Sequence, residues 1–257
     1  MDGKTNMSVK IICPYINDKE INQLKNKLWN LPVYFEKDHA RIGSDMMYQK
    51  LWNKFSNDDI FIMHADMFPL EDDEDNEWFD SLLDYVQKYP EAGMFGCLLL
   101  YPAKDENGIF YIQSAGGQFT DGNPDHFGSG LSLETNGKFK EELLLDEGQF
   151  NCVREVAWTT FGGVYIRRSV FNKVGNFSAG YEWTYNRDVD YCLRARKAEF
   201  KIYQIPIKLL HYESKDNKQI KAQDPNKVKA EMRNLETLKS KWANSKFYKT
   251  LDEVVND

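Results

Sequence analysis

Long apolar runs are missing from this chain. No stretch approaches the about 18 consecutive apolar residues that a membrane-crossing helix requires, so no transmembrane segment is expected. Met1–Lys10 is polar and lacks the apolar centre of a signal peptide. Cysteine is sparse: Cys13, Cys97, Cys152 and Cys192 stand far apart, with no Cys-x-x-Cys pair. That argues against a disulfide frame or a zinc site, and for reduced, mostly buried thiols in a cytosolic protein. Positive charge is in deficit, with 33 Lys and Arg against 40 Asp and Glu, for a net −7. Phosphate backbones select basic surfaces, so nucleic acid is not the expected partner. The same deficit means that any bound diphosphate needs a cation or local basic groups to offset repulsion. The acidic run Glu71–Glu77 lacks the glycine and alternating spacing of a calcium loop, and reads as a solvated lead-in to a helix over Trp78–Tyr89. No internal repeat or low-complexity tract is present.

What is present fits one large domain, or one domain with a small appendage. At 257 residues, with 42% hydrophobic and 14% aromatic residues, the chain can bury roughly three quarters of its unfolded surface. The organising stretch is Ile60–Pro69. Four apolar residues, Ile60 to Met63, are too few for a helix and suit a strand buried on both faces. The run stops at His64-Ala65-Asp66, and Pro69 limits further ladder pairing. In an open α/β sheet, ligands bind beyond the carboxyl ends of the strands, where a carboxylate can hold a metal that holds phosphate.

Around it, strands and helices alternate. Val9–Cys13 is a first strand closed by Pro14-Tyr15. A helix follows, with Ile21, Leu24 and Leu28 at helical spacing, then a strand at Val33–Glu36 and a polar turn, Lys37–Gly43. A second helix, from about Ser44 to Phe55, turns Met47, Leu51 and Phe55 to one side. Ala92–Leu100 is a further buried strand, and glycine-punctuated Tyr101–Gln149 reads as hairpin-rich structure beside the sheet. Ser169–Val174 is a short helix closed by Gly175, Asp188–Ala198 an amphipathic helix, and Ile202–Ile207 a strand out of which His211 runs. A last helix spans about Asn226 to Trp242. This alternation is the signature of a mostly parallel sheet.

Phe161–Ser214 carries a family likeness. Gly162-Gly163-Val164-Tyr165-Ile166-Arg167-Arg168, Val174-Gly175-Asn176-Phe177, Asp188-Val189-Asp190-Tyr191-Cys192-Leu193-Arg194, Tyr203-Gln204-Ile205-Pro206 and His211-Tyr212-Glu213-Ser214 follow in order. Upstream, Ile112-Gln113-Ser114-Ala115-Gly116-Gly117, His126 and Gly128 fall in sequence too. Together they resemble family-2 glycosyltransferases of the GT-A fold, particularly rhamnosyltransferase-like and capsule-type members, over roughly Val9 to Ser214. The likeness implies a GT-A domain at 1–214, Rossmann-like, with a mostly parallel mixed sheet flanked by helices. Residues 215–257 would be a helical extension packed on it.

It also implies an activity: transfer of a hexosyl or rhamnosyl group, with inversion, from a nucleotide-diphosphate sugar to a hydroxyl of a saccharide or glycan. His64-Ala65-Asp66 falls where the family's Asp-x-Asp motif belongs. Asp66 would bind a divalent cation, with His64 beside it and His211 as a second ligand or a diphosphate contact. Because His64 replaces the first acid, Mn²⁺ is expected over Mg²⁺. Asp188 would be the base that deprotonates the acceptor; read alone, it is a helix cap. Arg187 stands where the family has Glu, and would contact acceptor or phosphate, or lower the pKa of Asp188. Pro14, Tyr15, Asn17, Asp38, Arg41 and Gly43 are the expected nucleotide contacts. Gly162, Gly163, Trp183, Arg187 and Asp190 are the expected acceptor contacts, while Trp158 reads as packing.

Two other classes compete. A non-catalytic nucleotide- or glycan-binding subunit of the same fold would account for His64 and Arg187. A nucleotidyltransferase is disfavoured, since no glycine-rich phosphate loop with arginine and lysine follows the first strand. The expected protein is cytoplasmic, soluble or peripheral to a membrane, with a homo-oligomer left open.

Overall fold

In the computed structural model, residues 8–70, 75–133, 139–182, 186–212, 225–251 and 253–255 are described. The apolar run singled out above forms β3 (Asp59–Ile62) and lies at the middle of the molecule. Its side chains alternate between two cores: Ile60 and Ile62 face one, Phe61 and Met63 the other, all 0% exposed. Strand periodicity of two divides them in this way. β1 (Val9–Tyr15) pairs parallel with β3, and β2 (Val33–Lys37) pairs parallel with β1. On the other flank, β12 (Val164–Ile166) runs antiparallel between β3 and β5 (Ala92–Lys104). β13 (Lys201–His211) lies parallel to β5, and β11 (Arg154–Glu155) and β14 (Glu253–Val254) finish that edge. The order is β14-β11-β13-β5-β12-β3-β1-β2, with β4 (Met67–Pro69) on β13 and β6 (Phe110–Ser114) on β5. The long strands β1, β2, β3, β5 and β13 all point one way, so the expected mixed α/β sheet is found, with β12 as the reversed strand in its centre.

Helices cover both faces. α1 (Asp18–Lys27) and α3 (Glu77–Lys88) bury Ile21, Leu24, Trp78, Leu82 and Val86 against the Phe61 side. α2 (Ser44–Lys54), α4 (Arg168–Val174), α5 (Arg187–Lys197) and α6 (Pro225–Trp242) close the Ile62 side, through Leu51, Trp52, Phe171, Leu193 and Leu238 among others. The hairpin-rich region contains a second sheet, β10-β9-β8-β7, made of β7 (Gly117–Thr120), β8 (Asn123–His126), β9 (Ser129–Leu133) and β10 (Phe139–Leu143).

Two expectations need correction. β13 runs on to His211, because a register shift between Ile205 and Lys208 absorbs Pro206, which cannot donate to a ladder. β5 extends four residues beyond Leu100 by pairing with β6. On α6 the inward stripe is Ala230, Asn234, Leu238 and Trp242, a strict four-residue repeat, and Leu235 is only half-buried. Residues 225–251 and 253–255 join the same core and sheet as the rest, through Leu238, Trp242 and β14. Thr250 Oγ1 donates to Phe119 O at 2.8 Å and accepts from Phe119 N–H at 2.9 Å.

Candidate active site

Past β3 the chain turns sharply. Met63 N–H still reaches Ile12 O at 3.0 Å, and three residues later Asp66 leads into β4. β4 then pairs antiparallel with the end of β13, setting His211 opposite Met67, and Tyr212 N–H closes onto Asp66 O at 3.0 Å. This pairing brings together groups far apart in the chain. His211 Nε2 lies 3.3 Å from His64 Nδ1 and 3.4 Å from Asp66 Oδ1. One donor atom from each residue fits within 4.8 Å of the others, and all three side chains are half-buried. Among the described residues, this is the one such cluster of His, Cys, Asp and Glu.

The imidazole of His64 is held on two sides. The Tyr48 ring lies parallel to it, at an angle of 2° and a centroid distance of 6.0 Å. Gly162 packs against it so closely that a Cβ there would sit 3.0 Å from Cε1. Enclosure, with the second imidazole adding to it and Asp66 opposing, pushes the pKa of His64 down to about 4. The ring is therefore neutral at physiological pH, the form that binds a cation. Gln113 Oε1 lies 2.6 Å from His211 Nδ1. Tyr48 and Gln113 were not anticipated as site residues, since nothing local in the sequence marks a ring or an amide that acts on a histidine from another element.

Beside this centre, at the carboxyl ends of β1 and β2, lies a cleft of about 380 Å³ lined by Tyr15, Phe35, Lys37, Asp38, Met47 and Lys50 among others. None of His64, Asp66 and His211 lines the cleft, but β3 is the neighbour of β1, so cleft and centre share the carboxyl edge of the sheet. Of the expected nucleotide contacts, Tyr15 and Asp38 are in the lining. The carboxylate of Asp38 is engaged within its own loop, accepting Ile42 N–H at 3.0 Å and Gly43 N–H at 2.9 Å. That turn holds Arg41 at φ 51° and Gly43 at φ 91°, where no atom approaches the position of a Cβ. Pro14 lies in the β1–β2 ladder opposite Glu36, Asn17 is exposed, and Ala65 is half-buried. The Lys25 ammonium stands 5.5 Å from the ring centres of both Tyr15 and Phe35.

α2 and α5 both begin at this same edge, because each runs antiparallel to the strand that follows it. Their first turns are joined: Arg187 Nη1 meets Asp45 Oδ2 at 3.2 Å, and its other nitrogen donates to Tyr181 O. Arg187 thus bridges two elements. Asp45 is pushed up to about 7 by burial, against the pull of Arg187 and with a push from Asp188. Asp188 is half-buried and accepts Val189 N–H at 2.9 Å. Loss of hydration there outweighs the backbone bonds and raises its pKa to about 6.

The expectation for Asp190 is corrected. Its carboxylate is 1% exposed and accepts from Ser178 (2.7 Å), Arg194 (3.1 Å), Lys241 (2.6 Å) and Trp242 (2.8 Å), so it faces the interior and ties α6 to α5. Gly162 and Gly163 are buried against His64, Met67 and Leu209. Trp158 is packing, 3% exposed, with its indole N–H on Gln118 O at 2.9 Å. Trp183 and the sequence Glu213-Ser214 lie outside the described residues.

No protein-family model matches the chain, and no curated protein matches it by sequence. Among solved structures, it is similar to GalNAc-T7 crystallised with UDP, GalNAc and Mn²⁺: 10% identity, TM-score 0.48, covering 81% of this chain and 44% of that one. It is similar to S. aureus TarS 1–349 at 9% identity and TM-score 0.46, covering 83% of this chain and 63% of that one. A third is A197 from STIV, at 12% identity and TM-score 0.41, over 79% of this chain and 81% of that one. The chain thus spans less than two thirds of the length of the first and of TarS. At these values the site must be read from its own geometry.

Proposed function

We propose that this protein is a metal-assisted glycosyltransferase of GT-A type, moving a sugar with inversion from a nucleotide diphosphate to a hydroxyl of a saccharide acceptor. The single observation that carries the reading is the convergence of His64, Asp66 and His211 beside the cleft at the ends of β1 and β2. Donor atoms 3.3 and 3.4 Å apart are close to the spacing of about 3 Å that neighbouring ligands of a small divalent cation adopt. Two imidazoles and one carboxylate suit Mn²⁺ better than Mg²⁺, which prefers oxygen. When bound, such a cation neutralises charge on a diphosphate leaving group, answering the repulsion of a chain with net charge −7.

The chain's own residues supply the rest. Tyr15 offers an aromatic wall for a base and Lys25 stands by its ring, while Lys37 and Lys50, which line the same cleft, are paired with Asp18 and Glu36. Asp188 takes the proton of the acceptor hydroxyl. A pKa of about 6 leaves it ionised at neutral pH yet more basic than an exposed aspartate. Arg187 holds the start of α5 against α2 and so fixes where Asp188 stands.

The test is release of nucleoside diphosphate from a panel of nucleotide sugars with Mn²⁺. Turnover lost in both Asp66→Ala and Asp188→Asn supports the assignment. A folded protein that binds nucleotides but turns over none of the panel identifies a binding subunit instead.

A further inference from the structure

We propose that Gln113 is a positioning residue of the cation centre: it fixes His211 in the tautomer that carries hydrogen on Nδ1, leaving the Nε2 lone pair for the metal. The inference rests on the cation-centre reading above. Its first support is direct geometry. The amide oxygen of Gln113 can only accept, and at 2.6 Å from Nδ1 it requires the hydrogen to be there. Nε2 is then the acceptor nitrogen, and it is the nitrogen that faces His64 and Asp66, at 3.3 and 3.4 Å.

The second support is the way the backbone presents this side chain. In the β5–β6 ladder Leu99 faces Ser114 and Leu100 faces Ile112, so Gln113 is the extra residue of a bulge. A bulge re-aims one side chain out of the strand's alternation. Its flanks are fastened to other elements: Ile112 N–H to Leu144 O and Ala115 N–H to Phe127 O, both 2.8 Å. Ile112 and Ser114, its neighbours, are 0% and 2% exposed. The amide is thus presented from a fixed position to a histidine on a different strand. Partners of this kind orient imidazole ligands and strengthen them, and their loss typically weakens metal binding 10- to 100-fold.

The experiment combines calorimetric titration of Mn²⁺ alone with ¹⁵N NMR of the histidine rings in metal-free protein. Wild type is expected to show His211 protonated on Nδ1. Gln113→Leu should bind Mn²⁺ about 10- to 100-fold more weakly and shift His211 toward the Nε2–H tautomer. Gln113→Glu, which keeps the acceptor, should bind at least as tightly as wild type, and it carries the test should the leucine variant fold poorly. Gln113→Leu that binds Mn²⁺ like wild type, or a wild-type His211 protonated on Nε2, overturns the proposal. Wild type that binds no Mn²⁺ instead removes the reading of the centre, while the tautomer spectra still decide whether Gln113 sets the ring.

Discussion

Two carboxylates two residues apart on α5 have opposite fates. Asp190 is more deeply buried than Asp188, and burial alone would push both pKa values up. For Asp190, hydrogen bonds from Lys241, Trp242 and Ser178 outweigh that cost and hold it below the ordinary carboxylate value. For Asp188 only backbone donors at the start of the helix offset the loss of hydration, and its pKa rises to about 6. The sequence places the two alike, both acidic and both in the first turn. What separates them is α6, which arrives about fifty residues later with Lys241 and Trp242 and engages one carboxylate only. A buried acid with many donors is a structural tie, whereas one with few is poised to exchange a proton.

The largest effect that would break this contrast is catalytic. Asp188→Asn should lower kcat in the nucleotide-sugar assay by about 10²- to 10⁴-fold, the worth of a positioned base, with no loss of stability in urea. Next, Asp190→Ala should cost about 1–3 kcal/mol of stability, because it strands the buried Trp242 N–H, while Lys241, 39% exposed, can turn to water; urea midpoints measure it. If Asp190→Ala left stability intact while abolishing turnover, the roles assigned to the two residues would be reversed.

The pH dependence sharpens the same pair. Turnover should rise about tenfold per pH unit below 6 and level off above it, as Asp188 ionises, and in Asp188→Asn that limb should vanish. For stability the signs oppose. A folded pKa above the unfolded value of about 4 means that Asp188 lowers stability as pH rises through that window to 6. Asp188→Asn should therefore gain on the order of 1 kcal/mol at pH 8 and nothing at pH 4, discounted for partial exposure. Asp190, held low, contributes stability above the unfolded pKa that is lost as pH falls through its folded pKa. Smallest of all, Glu182→Gln on the exposed pair with Arg233, 50% exposed on both sides, should leave the thermal melting temperature almost unchanged, because water and salt screen such a pair.

Much of this was legible beforehand, for a local reason. Ile60–Met63 and Ala92–Leu100 are apolar on both faces, which marks central strands, and His64-x-Asp66 follows the first directly. The helices over α1, α2 and α5 showed themselves by spacing. What stayed hidden depends on partners distant in sequence. The reversed β12 between β3 and β5 has no local signature. The β4–β13 pairing, which turns His211 from a strand-end histidine into a neighbour of Asp66, joins residues 144 positions apart. Asp190 looked like an acceptor contact because its four donors come from three separate segments. Arg187 looked like a departure at the site until Asp45, on another helix, accounted for its charge.

The Met67–His211 pairing has a consequence for the order of events. His64, Asp66 and His211 cannot meet until β13, the last long strand, has been made and paired with β4, so the candidate centre is finished only after most of the sheet exists. Once made, an ion gripped by His64, Asp66 and His211 would act as a clasp across a very long loop, where holding two strand ends together removes the most chain freedom.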